Sequence, residues 1–130
     1  MNVVVDASIA VEYLLRTALG EHAAATLESA VLFAPELLDV EVLAVLRREL
    51  LRGHLAVNRA QQALDDLVAW DVRRIAHRDL VARAWAHRAN VSAYDAFYVA
   101  AAELYDAVVM TADGPLSRAP ALGIVVQNLR

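Results

Sequence analysis

Four carboxylates occupy positions where a charge is unusual. Asp6 and Asp113 each end a short apolar run, whereas Glu41 and Asp95 lie in helix-like segments beside apolar residues. Four carboxylates in one pocket would repel one another and raise one another's pKa values unless a cation were present. Because oxygen ligands in that number suit Mg²⁺ or Mn²⁺, the chemistry they predict is metal-assisted.

Each of these carboxylates also has a purely structural interpretation. Asp6 could cap the helix that follows it, and Asp113, which precedes a glycine, is typical of a turn. Glu41 could lie at the edge of an apolar stripe and face water. Ser92 and Asp95 resemble a helix-capping box, although that motif prefers Glu or Gln at its last position. Taken together, these interpretations do not explain why two acids end strands and two lie near apolar helix faces.

The elements that must position the acids alternate along the chain. Strands are predicted at "NVVVDAS", "VLFAP", "VRRIA", "DAVVMTAD" and "GIVVQ". Helices are predicted at "SIAVEYLLRTAL", "GEHAAATLESA" opened by Gly20, "PELLDVEVLAVLRRELLRG" ended by Gly53, "RAQQALDDLVAW" capped by Asn58, "RDLVARAWAHRA" and "SAYDAFYVAAAEL". This order predicts a single α/β domain over residues 1–130, with a central parallel sheet and helices on both faces. In such sheets the site lies beyond the carboxyl ends of the strands.

Composition excludes several classes of chemistry. The chain has no cysteine, and all 12 of its basic residues are arginine, so thiolate sites and every mechanism that needs a lysine are ruled out. A phospho-receiver, which would also place acids at strand ends, is among the excluded classes. The formal charge of −4 equals the charge of the four carboxylates. No signal peptide and no apolar run of about 18 residues is present, so we expect a cytoplasmic protein without a membrane segment.

Four segments resemble one known family, the PIN domain, and more narrowly the VapC ribonuclease toxins of bacterial toxin–antitoxin pairs. They are "VVVDAS" at 3–8, "PELLDVEVLAVL" around Glu41, "SAYDAFYVAAAEL" at 92–104 and "VVMTAD" at 108–113, and they follow the family's order over essentially the whole chain. The resemblance implies that Asp6, Glu41, Asp95 and Asp113 are the catalytic and metal-binding quartet, and that Ser8 and Thr111 support it.

The resemblance also implies an activity and partners. It implies Mg²⁺- or Mn²⁺-dependent endonucleolytic hydrolysis of structured RNA (tRNA or rRNA), leaving a 5′-phosphate and a 3′-hydroxyl. It further implies a homodimer and a cognate VapB-type antitoxin that inserts a C-terminal segment near the acids. Two alternatives remain open, a catalytically silent PIN-like binding scaffold and a PIN nuclease outside a toxin–antitoxin pair.

The remaining polar and aromatic residues receive weaker predictions. Arginines could rim an acidic pocket and contact RNA, with Arg16 and Arg118 as the candidates and Arg47, Arg48 and Arg52 beyond Glu41. The four histidines are expected at the surface rather than in the site, at positions 22, 54, 77 and 87. Trp70, Trp85 and Tyr94 are expected in the core or an interface.

Overall fold

The computed structural model of the chain describes residues 1–113, 116 and 125–129, and helical pairs separate its first four strands. The strands are β1 (Asn2–Val5), β2 (Val31–Pro35), β3 (Val72–Ile75), β4 (Val108–Thr111) and β5 (Val126–Asn128). The helices are α1 (Ala7–Leu14), α2 (Ala18–Ser29), α3 (Leu37–Leu51), α4 (Val57–Ala69), α5 (Val81–Trp85) and α6 (Ala93–Tyr105), and a 3-10 turn, His77–Asp79, precedes α5.

The five strands form one parallel sheet in the order β3-β2-β1-β4-β5, which confirms the predicted fold class. β1 lies at its centre, and its valines alternate between two cores. Val3 and Val5 pack against α1 to α4 on one face, and Val4 packs against α5 and α6 on the other. A strand buried on both faces reads as a continuous apolar run, which is why "VVV" carries no alternation.

The carboxyl ends of β1 and β4 lie side by side, with Val5 opposite Met110 in the parallel register. The backbone N–H of Asp6 continues this pairing by donating to the Met110 carbonyl at 3.2 Å. Because α1 and α3 follow strands and α6 precedes one, all three helices begin at this edge of the sheet. Helix N-termini carry partial positive charge, so the edge favours anions.

Two predicted helix starts are wrong. Gly20 does not open α2, because Thr17 caps it by accepting the Gly20 N–H at 3.1 Å. Gly20 is instead required by packing, since a Cβ there would lie 2.0 Å from the Glu12 carbonyl oxygen on α1. Asn58 does not cap α4, which begins one residue earlier, after Ala56.

Two other helix predictions have mixed outcomes. The end of α3 is confirmed, because Gly53 follows the cap residue Arg52 with a φ of +75°. The helix predicted at "RDLVARAWAHRA" is much shorter than expected, because only Val81–Trp85 is α-helical and tight turns follow it. Among the described residues, no helix combines the length and the apolar composition that a bilayer crossing requires.

Candidate active site

Asp6 is the most constrained of the four predicted acids. It is 5% exposed, directly follows β1 and caps α1, accepting the Ile9 N–H at Oδ1 at 3.2 Å. The Ser8 hydroxyl donates to the same oxygen at 2.6 Å, and the Thr111 hydroxyl donates to Oδ2. The capping interpretation of Asp6 is therefore correct, but it accounts for only one of the three hydrogen bonds that hold this carboxylate.

The backbone at the exit of β4 holds the two hydroxyl groups that bond Asp6. The Ala112 N–H donates to Ser8 Oγ at 2.8 Å, and the Asp113 N–H donates to Thr111 Oγ1 at 2.7 Å. Each hydroxyl has a single proton to donate. Both hydroxyls lie at hydrogen-bonding distance from Asp6, and their oxygens are also 3.2 Å from each other. The arrangement supports the ionised form of the Asp6 carboxyl.

Glu41 reaches the same edge from the first half of α3. Its Oε1 accepts a hydrogen bond of 2.6 Å from the hydroxyl of Tyr98 on α6, and the Tyr98 side chain is almost fully buried. Glu41 itself is half-buried. Glu41 is therefore not a purely solvent-facing residue, and its carboxylate is not unpaired. The buried Tyr98 hydroxyl orients it.

Asp95 combines two functions. Its backbone N–H donates to Ser92 Oγ at 3.1 Å, so Ser92 caps α6 as the capping motif predicts. The half-buried Asp95 side chain also faces a cavity that contains the other three acids. Capping and site residence are therefore compatible at this position.

All four predicted acids line one cavity of about 350 Å³, which we call the acid cavity. They come from four separate places in the chain, namely the β1–α1 junction, α3, α6 and the exit of β4. The same wall contains Ser8, Tyr98 and Arg48. The structure thus brings the quartet together, as the positions of the acids along the predicted elements indicate.

Burial and mutual repulsion raise the pKa values of two of these acids. Burial raises the pKa of Asp6 to about 6, although the bonds from Ser8, Thr111 and Ile9 oppose the shift, and the charge of Asp113 adds to it. Burial, followed by the charges of Asp113 and Glu41, raises the pKa of Asp95. The site therefore concentrates negative charge that its own surroundings do not fully stabilise.

The described part of the chain supplies little positive charge to the quartet. None of the four ion pairs found there includes Asp6, Glu41, Asp95 or Asp113, and Arg48 lies nearest Glu49, 3.7 Å from Nε to Oε1. Over the described residues, no three His, Cys, Asp or Glu side chains are placed so that they could hold a metal ion as they stand. The four carboxylates share an open cavity rather than a closed cage.

The arginine candidates lie in different places. Arg16 is exposed and lines a separate cavity of about 370 Å³ with Tyr13, Glu28 and Trp70, so the structure does not bring it to the acids. Arg118 lies outside the described residues. Of the arginines that follow Glu41, Arg48 is the one in the wall of the acid cavity.

The prediction that all four histidines lie at the surface is wrong for two of them. His87 is 8% exposed, and its Nε2 lies 2.8 Å from Glu103 Oε1. His77 is half-buried, and its Nε2 accepts the Leu37 N–H at 2.8 Å at the start of α3. Within the described wall of the acid cavity there is no histidine, as expected.

The three aromatic residues are also only partly as expected. Trp70 is half-buried and stacks on Tyr13 with ring centroids 4.9 Å apart. Trp85 and Tyr94 are 67% and 63% exposed, so neither belongs to the core of this chain, and their place in an interface stays a prediction.

Tyr98 is the site residue that sequence reasoning missed. One usable signal is its spacing, because a residue three positions after Asp95 lies on the same side of a helix. A second signal is chemical, since a tyrosine in an otherwise apolar segment must find a partner for its hydroxyl when buried.

The chain is similar to known proteins in sequence and in fold. The family model described as PIN domain matches residues 3–122. Ribonuclease VapC3 of Mycobacterium tuberculosis is 39% identical over 119 residues, which cover 91% of this chain and 87% of the relative. The crystal structure of PAE2754 from Pyrobaculum aerophilum has a TM-score of 0.69 at 18% identity, covering 97% of this chain and 83% of that one.

One chain of a solved complex is also similar to this chain in fold. One chain of the crystal structure of VapBC2 from Rickettsia felis, bound to a DNA fragment from their promoter, matches with a TM-score of 0.62 at 11% identity. The match covers 98% of this chain and 98% of that chain. The PIN domain model matches most of the sequence. Ribonuclease VapC3 is similar enough in identity and coverage to indicate the type within that family. The chain therefore belongs to the PIN domain family, and within it to the VapC type.

Proposed function

We propose that this chain is a divalent-metal-dependent endoribonuclease and the toxin of a type II toxin–antitoxin pair. One observation carries the proposal: four carboxylates from four separate elements line one cavity at the carboxyl edge of the sheet. The name of the relative VapC3 supports RNA as the substrate. We propose hydrolysis of a phosphodiester bond in structured RNA, a tRNA or an rRNA, by a cytoplasmic protein whose residues 1–130 form one PIN domain.

The donor set of the acid cavity fits Mg²⁺ or Mn²⁺. Its candidate ligands are hard carboxylate oxygens, and the raised pKa values of Asp6 and Asp95 mark charge that a cation would stabilise. Mg²⁺ usually keeps several waters and needs only one or two carboxylates, so an open cavity is compatible with it. We propose that Asp6, Glu41, Asp95 and Asp113 hold the metal. When bound, such a cation supplies Lewis acidity toward water and phosphate oxygens.

The chain's own residues provide the preorganisation. Asp6 is fixed by Ser8, Thr111 and the Ile9 N–H, so both of its oxygens keep their directions when substrate arrives. Tyr98 orients Glu41 in the same way. Because these carboxylate oxygens are already oriented, the site needs little reorganisation during the reaction. The expected products are a 5′-phosphate and a 3′-hydroxyl.

The activity is tested by incubating the purified chain with total RNA in Mg²⁺, in Mn²⁺ and in EDTA. We expect cleavage with either metal and none with chelator, and we expect Asp6→Asn to remove cleavage while its circular dichroism spectrum is unchanged. Asp65→Asn, an exposed acid on α4, is the matched control and should cleave normally. Cleavage that persists in EDTA would refute the metal requirement. A folded wild type that never cleaves RNA would favour the silent scaffold.

The partner proposals draw on a different surface and on the similar complex. The exposed outer side of α3 carries Val40, Leu43 and Leu51, which are 64%, 52% and 68% exposed, and such apolar side chains favour a homodimer. The likeness in fold to the VapBC2 complex of Rickettsia felis supports a VapB-type antitoxin. We expect a dimer mass in light scattering, and rescue of growth when a short neighbouring gene is co-expressed. Growth arrest that no neighbouring gene relieves would favour a PIN nuclease outside such pairs.

A further inference from the structure

A second cavity adjoins the acid cavity and shares part of its wall. It has a volume of about 440 Å³, and Ser8, Val45 and Arg48 line both cavities. We call it the α1–α3 groove, because α1 forms one wall from Ser8 to Leu15 and the C-terminal half of α3 forms the other. A polymer held in the acid cavity would therefore meet this groove directly on one side.

The end of α3 builds the far side of the groove. The His54 N–H donates to the Glu49 carbonyl at 2.9 Å, and the Gly53 N–H donates to the Leu50 carbonyl at 3.1 Å. These two bonds, with the positive φ of Gly53, form a Schellman motif that turns the chain back on the helix. The turn brings His54 and Leu55 into the lining of the groove.

The lining combines an aliphatic wall with a polar edge. Val11, Leu15 and Leu55 contribute apolar surface, and Glu12, Glu49 and His54 contribute polar atoms. The Thr17 hydroxyl donates to the Glu12 carboxylate. Small-molecule sites are largely apolar cavities with a few fixed polar groups. A nucleobase matches this surface, since its faces are apolar and its edges carry donors and acceptors. Proteins that read RNA commonly bind bases that are splayed out of the stack and hydrogen-bond the edges of those bases.

Glu49 is the group that can read the edge of a base. His54 Nδ1 lies 2.7 Å from Glu49 Oε2, and this bond lowers the pKa of the Glu49 carboxyl. Arg48 Nε lies 3.7 Å from the other oxygen. An ionised carboxylate only accepts hydrogen bonds. It therefore favours a base that presents an exocyclic amino group over uracil, whose single ring N–H donor lies between two carbonyl oxygens that repel a carboxylate.

We propose that the α1–α3 groove binds the nucleobase adjacent to the scissile phosphate, with Arg48 on the phosphate and Glu49 accepting from the base's exocyclic amino group. Adenine, cytosine and guanine are then preferred over uracil at that position. The inference rests on the proposed ribonuclease function, because the acid cavity must hold the scissile phosphate.

The test uses two substrates with the purified full chain and Mn²⁺. A random-sequence RNA pool is cleaved and its new 5′ ends are sequenced, and bis(p-nitrophenyl) phosphate, a phosphodiester without bases, measures the chemistry alone. We expect uracil to be about tenfold under-represented at one position flanking the cut, as for loss of a hydrogen bond to a charged group. Glu49→Ala should reduce that preference to within about twofold. Leu55→Trp should lower RNA cleavage about tenfold without changing hydrolysis of the base-free substrate.

Matched controls exclude general effects of the substitutions. Asp65→Ala removes an exposed acid on α4, and Val68→Trp adds the same bulk at a position that is 83% exposed. Both should keep the wild-type base preference. If the wild type cleaves both substrates but shows no flanking preference that Glu49→Ala alters, the groove proposal is wrong and the proposed function stands. If the wild type cleaves neither substrate, both proposals fail.

Discussion

Tyr98 on α6 donates a hydrogen bond of 2.6 Å to Glu41 on α3, across 57 positions of sequence. The two helices lie on opposite faces of the sheet, and this bond joins them near the carboxyl edge, where both begin. One buried hydroxyl therefore links the helix that carries Glu41 to the helix that carries Asp95. Partners that orient a metal ligand affect metal affinity even when they never touch the metal.

Replacing Tyr98 with phenylalanine should separate orientation from packing. The ring remains and only the hydroxyl is lost, so we expect a stability loss of about 1 kcal/mol. We expect Mn²⁺ affinity, measured by calorimetry, to fall roughly 10- to 100-fold. Cleavage should fall at limiting metal and recover at high metal. Tyr94→Phe, at a 63% exposed tyrosine of the same helix, is the control and should change neither quantity. An unchanged affinity in Tyr98→Phe would show that the bond is merely structural.

The two functions at the start of α6 can be separated by a pair of variants. Ser92→Ala removes the cap that accepts the Asp95 N–H, which should cost about 1 kcal/mol in urea unfolding. Its cleavage per folded molecule should stay normal. Asp95→Asn keeps the cap and removes a charge whose pKa is raised by burial and by Asp113, so the metal-free protein should be as stable as wild type or more stable. It should no longer cleave RNA. Cleavage by folded Asp95→Asn would remove Asp95 from the site.

The gathering of the acids could be predicted because it follows from a few general rules. Parallel strands end at one edge, so the acids after β1 and β4 become neighbours once the sheet order is right. Helices that connect parallel strands run back along the sheet, so residues near the starts of α3 and α6 return to the same edge. Glu41 and Asp95 occupy such positions.

The wrong and missing predictions concern residues whose role depends on a tertiary contact. The local sequence pattern carries no information about such contacts. Gly20 looked like a helix opening, yet the close approach of α1 is what requires it. His87 looked polar and exposed, yet Glu103 on α6 gives it a buried partner. Tyr98 received no role from the sequence, because its acceptor is far away along the chain. No periodicity encodes these long-range pairs.

The glycines offer a test of that packing argument. In Gly20→Ala the new Cβ would lie 2.0 Å from the Glu12 carbonyl oxygen. Because moving a helix backbone is costly, we expect the free energy of unfolding to fall by about 3 kcal/mol or more. In Gly53→Ala no atom lies within 4 Å, and only the φ of +75° is unfavourable, so about 1 kcal/mol is expected. Urea unfolding of both variants measures the difference. Equal losses would mean that α1 and α2 do not pack as closely as described.

The burial of Asp6 predicts an unusual dependence of stability on pH in the metal-free protein. Its pKa in the folded chain is about 6, above the 3.8 of an unperturbed aspartate. The protonated form is therefore favoured by folding, so this contribution is complete below pH 3.8 and is lost as pH rises through about 6. A shift of this size corresponds to about 3 kcal/mol.

Asp6→Asn should remove this dependence, because an amide does not ionise. In EDTA, urea unfolding should find the variant more stable than wild type by about 1–3 kcal/mol at pH 7.5, and nearly equal to it at pH 4. Saturating Mn²⁺ should reverse the order at pH 7.5, since metal at about 1,000 times its Kd stabilises the wild type by about 4.1 kcal/mol and the variant lacks a ligand. Asp65→Asn, on the exposed side of α4, should follow the wild type throughout. If the wild type in EDTA becomes more stable relative to Asp6→Asn as the pH rises, the raised pKa of Asp6 is contradicted.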